Sequence, residues 1–165
     1  MDSLVKFDAT KIGLISDTHG LLRTQALDAL RGSQLILHAG DVGKPEILES
    51  LRAIAPVAAV RGNVDTENWA EDLPLTLMVE ASGVTIYMLH DLNTLDLNPA
   101  AAGIHIVVSG HTHKLARAER GGILYINPGS AGPRRFTLPV TVARLDLNST
   151  PWNLEFVDLE KTSAK

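Results

Sequence analysis

Seven side chains of metal-ligating type stand in short clusters along this chain: Asp17 with His19, Asp41, Asn63, His90, and His111 with His113. The 165 residues include six histidines and no cysteine. Disulfide scaffolds, cysteine-based zinc sites, iron–sulfur ligation and thiol catalysis are therefore excluded. Imidazole and oxygen ligands remain, a set suited to divalent first-row ions. Taken singly, an Asp or Asn after a strand is more often a turn former or helix cap than a ligand. A lone histidine is more often a surface or packed residue. Together the seven resist that explanation, because independent turn residues have no reason to be ligand types at every cluster. Gly20, Gly40, Gly62 and Gly110 stand beside them, as tight turns that aim side chains at one centre require. His38, inside an apolar run, reads as a packed or supporting residue, and His105 takes no role.

The elements between the clusters explain how they would meet. Lys11–Ser16 and Gln34–Gly40 are short apolar runs ended by polar turn residues, as buried strands are, and Val57–Gly62 is a third. A helix is predicted from about Arg23 to Leu30. A second covers KPEILESLRAI, with Pro45 in its first turn and Pro56 closing it. This β-α-β-α-β order argues a parallel sheet with right-handed crossovers. The second half reads differently. LTLMV and VTIYMLH flank Ala81-Ser82-Gly83 as a hairpin, and a second hairpin turns at Gly121-Gly122. A short helix is expected near Pro99 to Ala102 and a buried strand over His105–Gly110. TVARLDLN and WNLEFVDLE alternate as half-exposed antiparallel strands do. Five strand ends thus deliver the ligand types, and in open α/β sheets sites form just outside such ends.

Composition sets the outer limits. Length favours one domain over 1–165, with its core about 11–158. A hydrophobic share of 45% and a charged share of 21% are those of a globular protein. The net charge of −4 gives no broad basic footprint, so nucleic acid enters only as a possible substrate. The N-terminal MDSLVKFDATKI has no cationic and apolar leader pattern. The longest apolar run, Ala53 to Val60, is too short to span a bilayer. A cytoplasmic protein with no membrane partner is expected. Edge strands near the C-terminus leave a homodimer open.

The motifs Asp17-Thr18-His19, Gly40-Asp41, Gly62-Asn63-Val64-Asp65, His90 and Gly110-His111-Thr112-His113 resemble the calcineurin-like metallophosphoesterases. SDTHG, SGHTH and Asn127-Pro128-Gly129-Ser130 look like its small bacterial and archaeal phosphodiesterase branch. The resemblance implies an α/β fold, a four-layer α/β/β/α sandwich with two mixed β-sheets flanked by helices. It implies two divalent metal ions, manganese first, with nickel, iron, zinc or magnesium open. By the same resemblance Asp17, His19 and His113 hold one ion, Asn63, His90 and His111 the other, and Asp41 bridges them. Asp41, Asn63 and His90 would then serve catalysis through the metals, without a protein nucleophile. Two ions about 3.5–4 Å apart can share a water, lower its pKa and let the hydroxide attack phosphorus in line. Asn63, Ser130 and Arg134 are the candidate substrate contacts, Arg134 as a bidentate phosphate donor.

Two positions depart from the family pattern. Many members carry histidine where this chain has Val64, and that histidine is thought to protonate the leaving group or touch the phosphate. Since general acid catalysis is commonly worth about 10²–10⁴-fold, the expected activity is a phosphodiesterase favouring good leaving groups on a small diester. Asp91 replaces the branch's usual glycine after His90; it orients His90, caps the next turn, the cap being favoured, or crowds the second metal and weakens that site. A different class, a non-catalytic interaction scaffold like the retromer subunit of this fold, competes with the enzyme. A P-loop or serine hydrolase does not, because Gly40-Asp41-Val42-Gly43-Lys44 lacks P-loop spacing and no nucleophile elbow occurs.

Overall fold

A computed structural model describes residues 4–162. Residues 1–3 and 163–165 of the expected 1–165 domain lie outside the described residues. Three successive parallel strands, β2 (Lys11–Ile15), β3 (Leu35–His38) and β4 (Val57–Ala59), are joined by α1 (Thr24–Leu30) and α2 (Pro45–Arg52). Two antiparallel strands, β10 (Thr141–Asp146) and β11 (Asn153–Asp158), extend this sheet to the order β11-β10-β2-β3-β4. The second sheet holds β1 (Leu4–Phe7), β5 (Thr76–Ala81), β6 (Val84–Leu89), β7 (Ile106–Val108), β8 (Ala116–Arg120) and β9 (Ile123–Asn127), in the order β1-β5-β6-β7-β9-β8. Both sheets are mixed in direction.

The strand patterns follow from burial on two faces. All four residues of β3 are buried. Leu35 and Leu37 enter the core between the sheets with Met88, Ile106 and Val108, while Ile36 faces the helices. That helical side packs Leu30 of α1, Ile47, Leu48 and Leu51 of α2, and Leu159 of α3 (Leu159–Thr162). Helix α2 is marked at both ends, by Pro45 and Glu46 at its start and Arg52 in its last turn, as the helix dipole favours. The outer face of the six-stranded sheet buries Tyr87, Leu89, Val107 and Ile123 beneath Leu92, Leu95 and Leu97. The layer order is therefore α/β/β/α, with its fourth layer thin, a 3-10 turn at Leu92–Thr94 and the loop after it.

Both expected hairpins form as two-residue turns. Ser82 and Gly83 have φ of 47° and 86°, and Gly121 and Gly122 of 58° and 81°, the left-handed pairs that match strand twist. Two expectations change. The helix expected near Pro99–Ala102 is a single turn, stopped where Gly103 adopts a φ of 76°. A strand ahead of the expected core, β1, pairs in parallel with β5. It is an edge strand with three of its four residues exposed, so no buried run marks it. Among the described residues, no helix is long and apolar enough to cross a membrane.

Candidate metal centre

Strand direction brings the clusters to one edge. Asp17, Asp41 and Asn63 lie just past the C-terminal ends of β2, β3 and β4, which run parallel. His90 and the His111–His113 segment lie past the ends of β6 and β7, likewise parallel to each other. The turns that carry them are unusual. Seven non-glycine residues have positive φ among the described residues, and five of these are Asp17, His19, Asp41, His111 and His113. Such a conformation costs on the order of 1–3 kcal/mol per residue and persists only when its surroundings impose it. Here they do. The Asp17, His19 and Gly20 amides donate to the Gly40, Asp41 and Val42 carbonyls, so the β2 and β3 loops run side by side. A Cβ at Gly62 would strike the backbone nitrogen and carboxylate of Asp41, and one at Gly110 would strike Ser16 Oγ and the Asp17 carboxylate. Only glycine permits that closeness.

The side chains converge. Asp17 Oδ1 lies 3.4 Å from His113 Nε2, 3.7 Å from His19 Nε2 and 3.8 Å from His90 Nε2. Asp41 Oδ2 lies 3.1 Å from His90 Nε2 and 3.6 Å from His19 Nε2. The Nε2 atoms of His19 and His113 face each other at 3.3 Å. Two groups are compact enough to grip a cation: Asp17, His19 and His113, and Asp17, Asp41 and His90. Asn63 and His111 stand beside them, with Asn63 Oδ1 3.2 Å from His111 Nδ1 and the His111 ring centre 5.2 Å from that of His90. All seven predicted ligand residues are thus gathered at one place, Asn63 and His111 on its exposed side.

The donor set fits a divalent cation. Asp17 Oδ1 and His90 Nε2 are buried atoms without an aligned hydrogen bond, although each has opposite-type groups around it. Their outer atoms are fully engaged. Asp17 Oδ2 accepts from Ser16 Oγ at 2.6 Å and the His111 amide at 3.1 Å. Asp41 Oδ1 accepts from the Val64 amide at 3.0 Å. His90 Nδ1 is 2.8 Å from the Ala39 carbonyl, which only accepts, so Nδ1 carries the proton and Nε2 offers its lone pair inward. Burial alone would raise both carboxylates. For Asp17, His19, Ser16 and the charges of His90 and His113 outweigh it and hold the pKa below its ordinary value. For Asp41, His90 and the Val64 amide bring it down to about 2. Burial and the cation Arg135 lower the pKa of His113, against Asp17. Burial also favours neutral His90, but Asp41, the Ala39 carbonyl and Asp17 outweigh it and raise its pKa. An ionised pair of carboxylates facing imidazoles is the state a metal ion replaces protons in.

Supporting residues surround this set: His38 has the supporting place expected of it, while the motif spacing assigned Asp65 no role. Asp65, buried, accepts from the amides of Val42 at 3.1 Å, Gly43 at 3.0 Å and Gly62 at 2.9 Å. One carboxylate thereby ties the Asp41 loop to the Asn63 loop. His38 accepts at Nδ1 from the Gly40 amide and meets Thr18 Oγ1 at Nε2; that hydroxyl gives its own proton to the Val42 carbonyl, so Nε2 is the donor. The ring is completely buried, which lowers its pKa to about 4. Its place is a clamp between the Asp17–His19 and Asp41 loops. Asn127 donates to the Gly110 carbonyl and Thr112 hydroxyl.

Ser130 and Arg134, expected as substrate contacts, each have a protein partner. Ser130 Oγ donates to the Asp17 carbonyl at 3.1 Å, and Arg134 pairs with Glu160 at 3.0 Å. The reason is tertiary. The segment after β9 packs against the β2 loop, and α3 returns beneath it. Asp91 accepts from the Asn93 amide as a cap, while its second oxygen faces His111 Nε2 at 3.8 Å and not His90.

Comparison with known proteins agrees with this geometry. Residues 10–150 match the family model of the calcineurin-like phosphoesterase superfamily domain. A probable metallophosphoesterase of Methanothermobacter thermautotrophicus is 35% identical over 148 residues, 82% of this chain and 86% of the relative. The phosphodiesterase YfcE of Escherichia coli strain K12 is 30% identical over 161 residues, covering 82% of this chain and 87% of its own. The crystal structure of Chaetomium thermophilum Vps29 superposes with a TM-score of 0.73 at 18% identity, over 90% of this chain and 96% of that one, a likeness of fold.

Proposed function

The chain belongs to the calcineurin-like phosphoesterase superfamily, and from that premise we propose that it is a dinuclear metal-dependent phosphodiesterase acting on small diesters, one phosphoesterase domain over 1–165. The observation that carries the reading is the convergence of seven ligand-type residues from five strand ends. In this reading Asp17, His19 and His113 hold one ion and Asn63, His90 and His111 the other. Asp41 would serve both, a role supported by its position between His19 and His90. Bound divalent ions supply Lewis acidity at the phosphoryl oxygens and a water nucleophile active at neutral pH. The imidazole-rich set suits manganese, with nickel, iron, zinc and magnesium as alternatives.

The chain's own residues do the rest. With two divalent ions held there, the charges of Asp17 and Asp41 would be outweighed locally, so an acidic protein could draw in an anionic diester. Asn63, exposed beside the centre, is the polar side chain placed to touch the phosphoryl group. Val64, also exposed, offers no proton to a departing alkoxide. Activity should therefore fall steeply as the leaving group becomes more basic. Every candidate ligand comes from one chain, so the chemistry needs no second copy, and a cytoplasmic setting completes the proposal.

Metal-free protein reloaded with manganese, nickel, zinc or magnesium, and assayed on bis(4-nitrophenyl) phosphate and 4-nitrophenyl phosphate, tests the reading. Turnover of the diester well above the monoester is expected. A flat dependence of rate on leaving-group pKa across an aryl diester series would remove the leaving-group preference. The likeness in fold to Vps29 favours a second reading, a non-catalytic interaction protein. Absence of turnover with every metal would decide for it.

A further inference from the structure

Large apolar side chains exposed to solvent are few among the described residues; three of them stand next to candidate ligands, and a fourth, Phe136, stands on the loop that follows Ser130. Leu21 follows His19 by two residues and is 40% exposed. Val64 follows Asn63 directly at 45%, and Leu115 follows His113 by two at 38%. Phe136 is 92% exposed and has a φ of 52°, which bulky side chains rarely adopt. Neither burial nor backbone preference accounts for a phenyl ring in that position, and such outliers concentrate at functional sites. The turn carrying it is closed by the Leu138 amide on the Arg135 carbonyl at 3.0 Å. Its stem is fastened to the centre, the Ala131 amide donating to the Ser16 carbonyl at 3.0 Å and Ser130 Oγ to that of Asp17. A Cβ at Gly132 would strike the Asp17 and Thr18 carbonyls. Arg135, next to Phe136, is exposed and has no ion-pair partner among the described residues.

We propose that Leu21, Val64, Leu115 and Phe136 form an apolar rim that receives an aromatic substituent of a phosphodiester, Phe136 stacking on the ring and Arg135 facing the anionic phosphate. This rests on the diesterase reading for the site and narrows its substrate class to diesters bearing an aryl or nucleobase ring. An aromatic face is the least selective partner for such rings, since each presents a π-surface, and a planar side chain loses little conformational freedom in holding them. A cation beside it neutralises the phosphate that accompanies every such ring.

Calorimetric titration of the manganese-loaded protein with diphenyl phosphate and diethyl phosphate tests the rim without requiring turnover. Diphenyl phosphate should bind the parent more tightly than diethyl phosphate. In F136A that preference should fall about tenfold, the usual worth of one stacked ring, and F136W should keep it. Equal affinities in the parent, or an unchanged preference in F136A, overturns the rim. Sedimentation of the parent and F136A at the same concentration completes the test. A dimer that F136A dissociates would show the ring covered by a second copy and would also overturn it. If bis(4-nitrophenyl) phosphate is not hydrolysed while the F136A effect on binding appears, the diesterase reading falls and the aromatic site stands.

Discussion

Asp65 touches none of the candidate metal ligands by its side chain, yet Asp65→Asn should disable the site. Its Oδ2 accepts from the Val42 and Gly62 amides and its Oδ1 from the Gly43 amide. Asparagine keeps one acceptor oxygen, so two bonds survive without charge assistance and the third donor meets an NH₂ group. Hydrogen bonds to a charged group contribute about 1.5–3 kcal/mol against about 1 for neutral ones, and a buried donor left unpaired costs about 1–3. Weakening two and losing one amounts to about 4 kcal/mol, a large part of the 5–15 kcal/mol typical of a domain. The loss falls on the loops holding Asp41 and Asn63, so metal affinity should decline along with stability. Urea unfolding of the metal-free proteins measures the first and calorimetric manganese titration the second. A D65N protein within about 1 kcal/mol of the parent, with unchanged manganese affinity, would refute the view that this carboxylate locks the two loops.

Three further outcomes are expected. His38 has a folded pKa of about 4 against 6.5 for the free ring; its contribution is fully present above pH 6.5 and is lost as pH falls from 6.5 towards 4. With each pKa unit worth 1.36 kcal/mol this is on the order of 3 kcal/mol, measurable as a steeper acid decline in urea midpoint for the metal-free parent than for His38→Gln. Chelation should lower the Tm and manganese restore it, about 2.7 kcal/mol being gained at a hundredfold excess over Kd; His113→Ala should blunt this response, as differential scanning fluorimetry would show. Asp91→Gly should lose its cap at a cost of only about a few tenths of a kcal/mol and, with the carboxylate facing His111 removed, bind its second equivalent of manganese more weakly, read by metal analysis after dialysis.

Much of this protein is legible without coordinates because its signals are local. Ile12–Ile15, Leu35–His38 and Ile106–Val108 announce buried strands by their apolar runs, and the ligand types sit directly after them. Parallel connection through α1 and α2 then requires Asp17, Asp41 and Asn63 to share an edge. Other features were settled only by tertiary contact. Strand β1 is defined by pairing with β5, not by its own pattern. The partners of Ser130 and Arg134, the Asp17 carbonyl and Glu160, come from segments distant in the chain. Asp65 reads as the last residue of a motif, and its three amide donors come from two loops separated by more than one element. The left-handed backbone at five ligand positions is likewise imposed from outside, by neighbouring loops and by the closeness that Gly62 and Gly110 allow. Residue type and strand period set which groups can bind and on which edge they emerge. Which of them point at one another depends on contacts between segments far apart in the chain, and those exist only once the two sheets have packed.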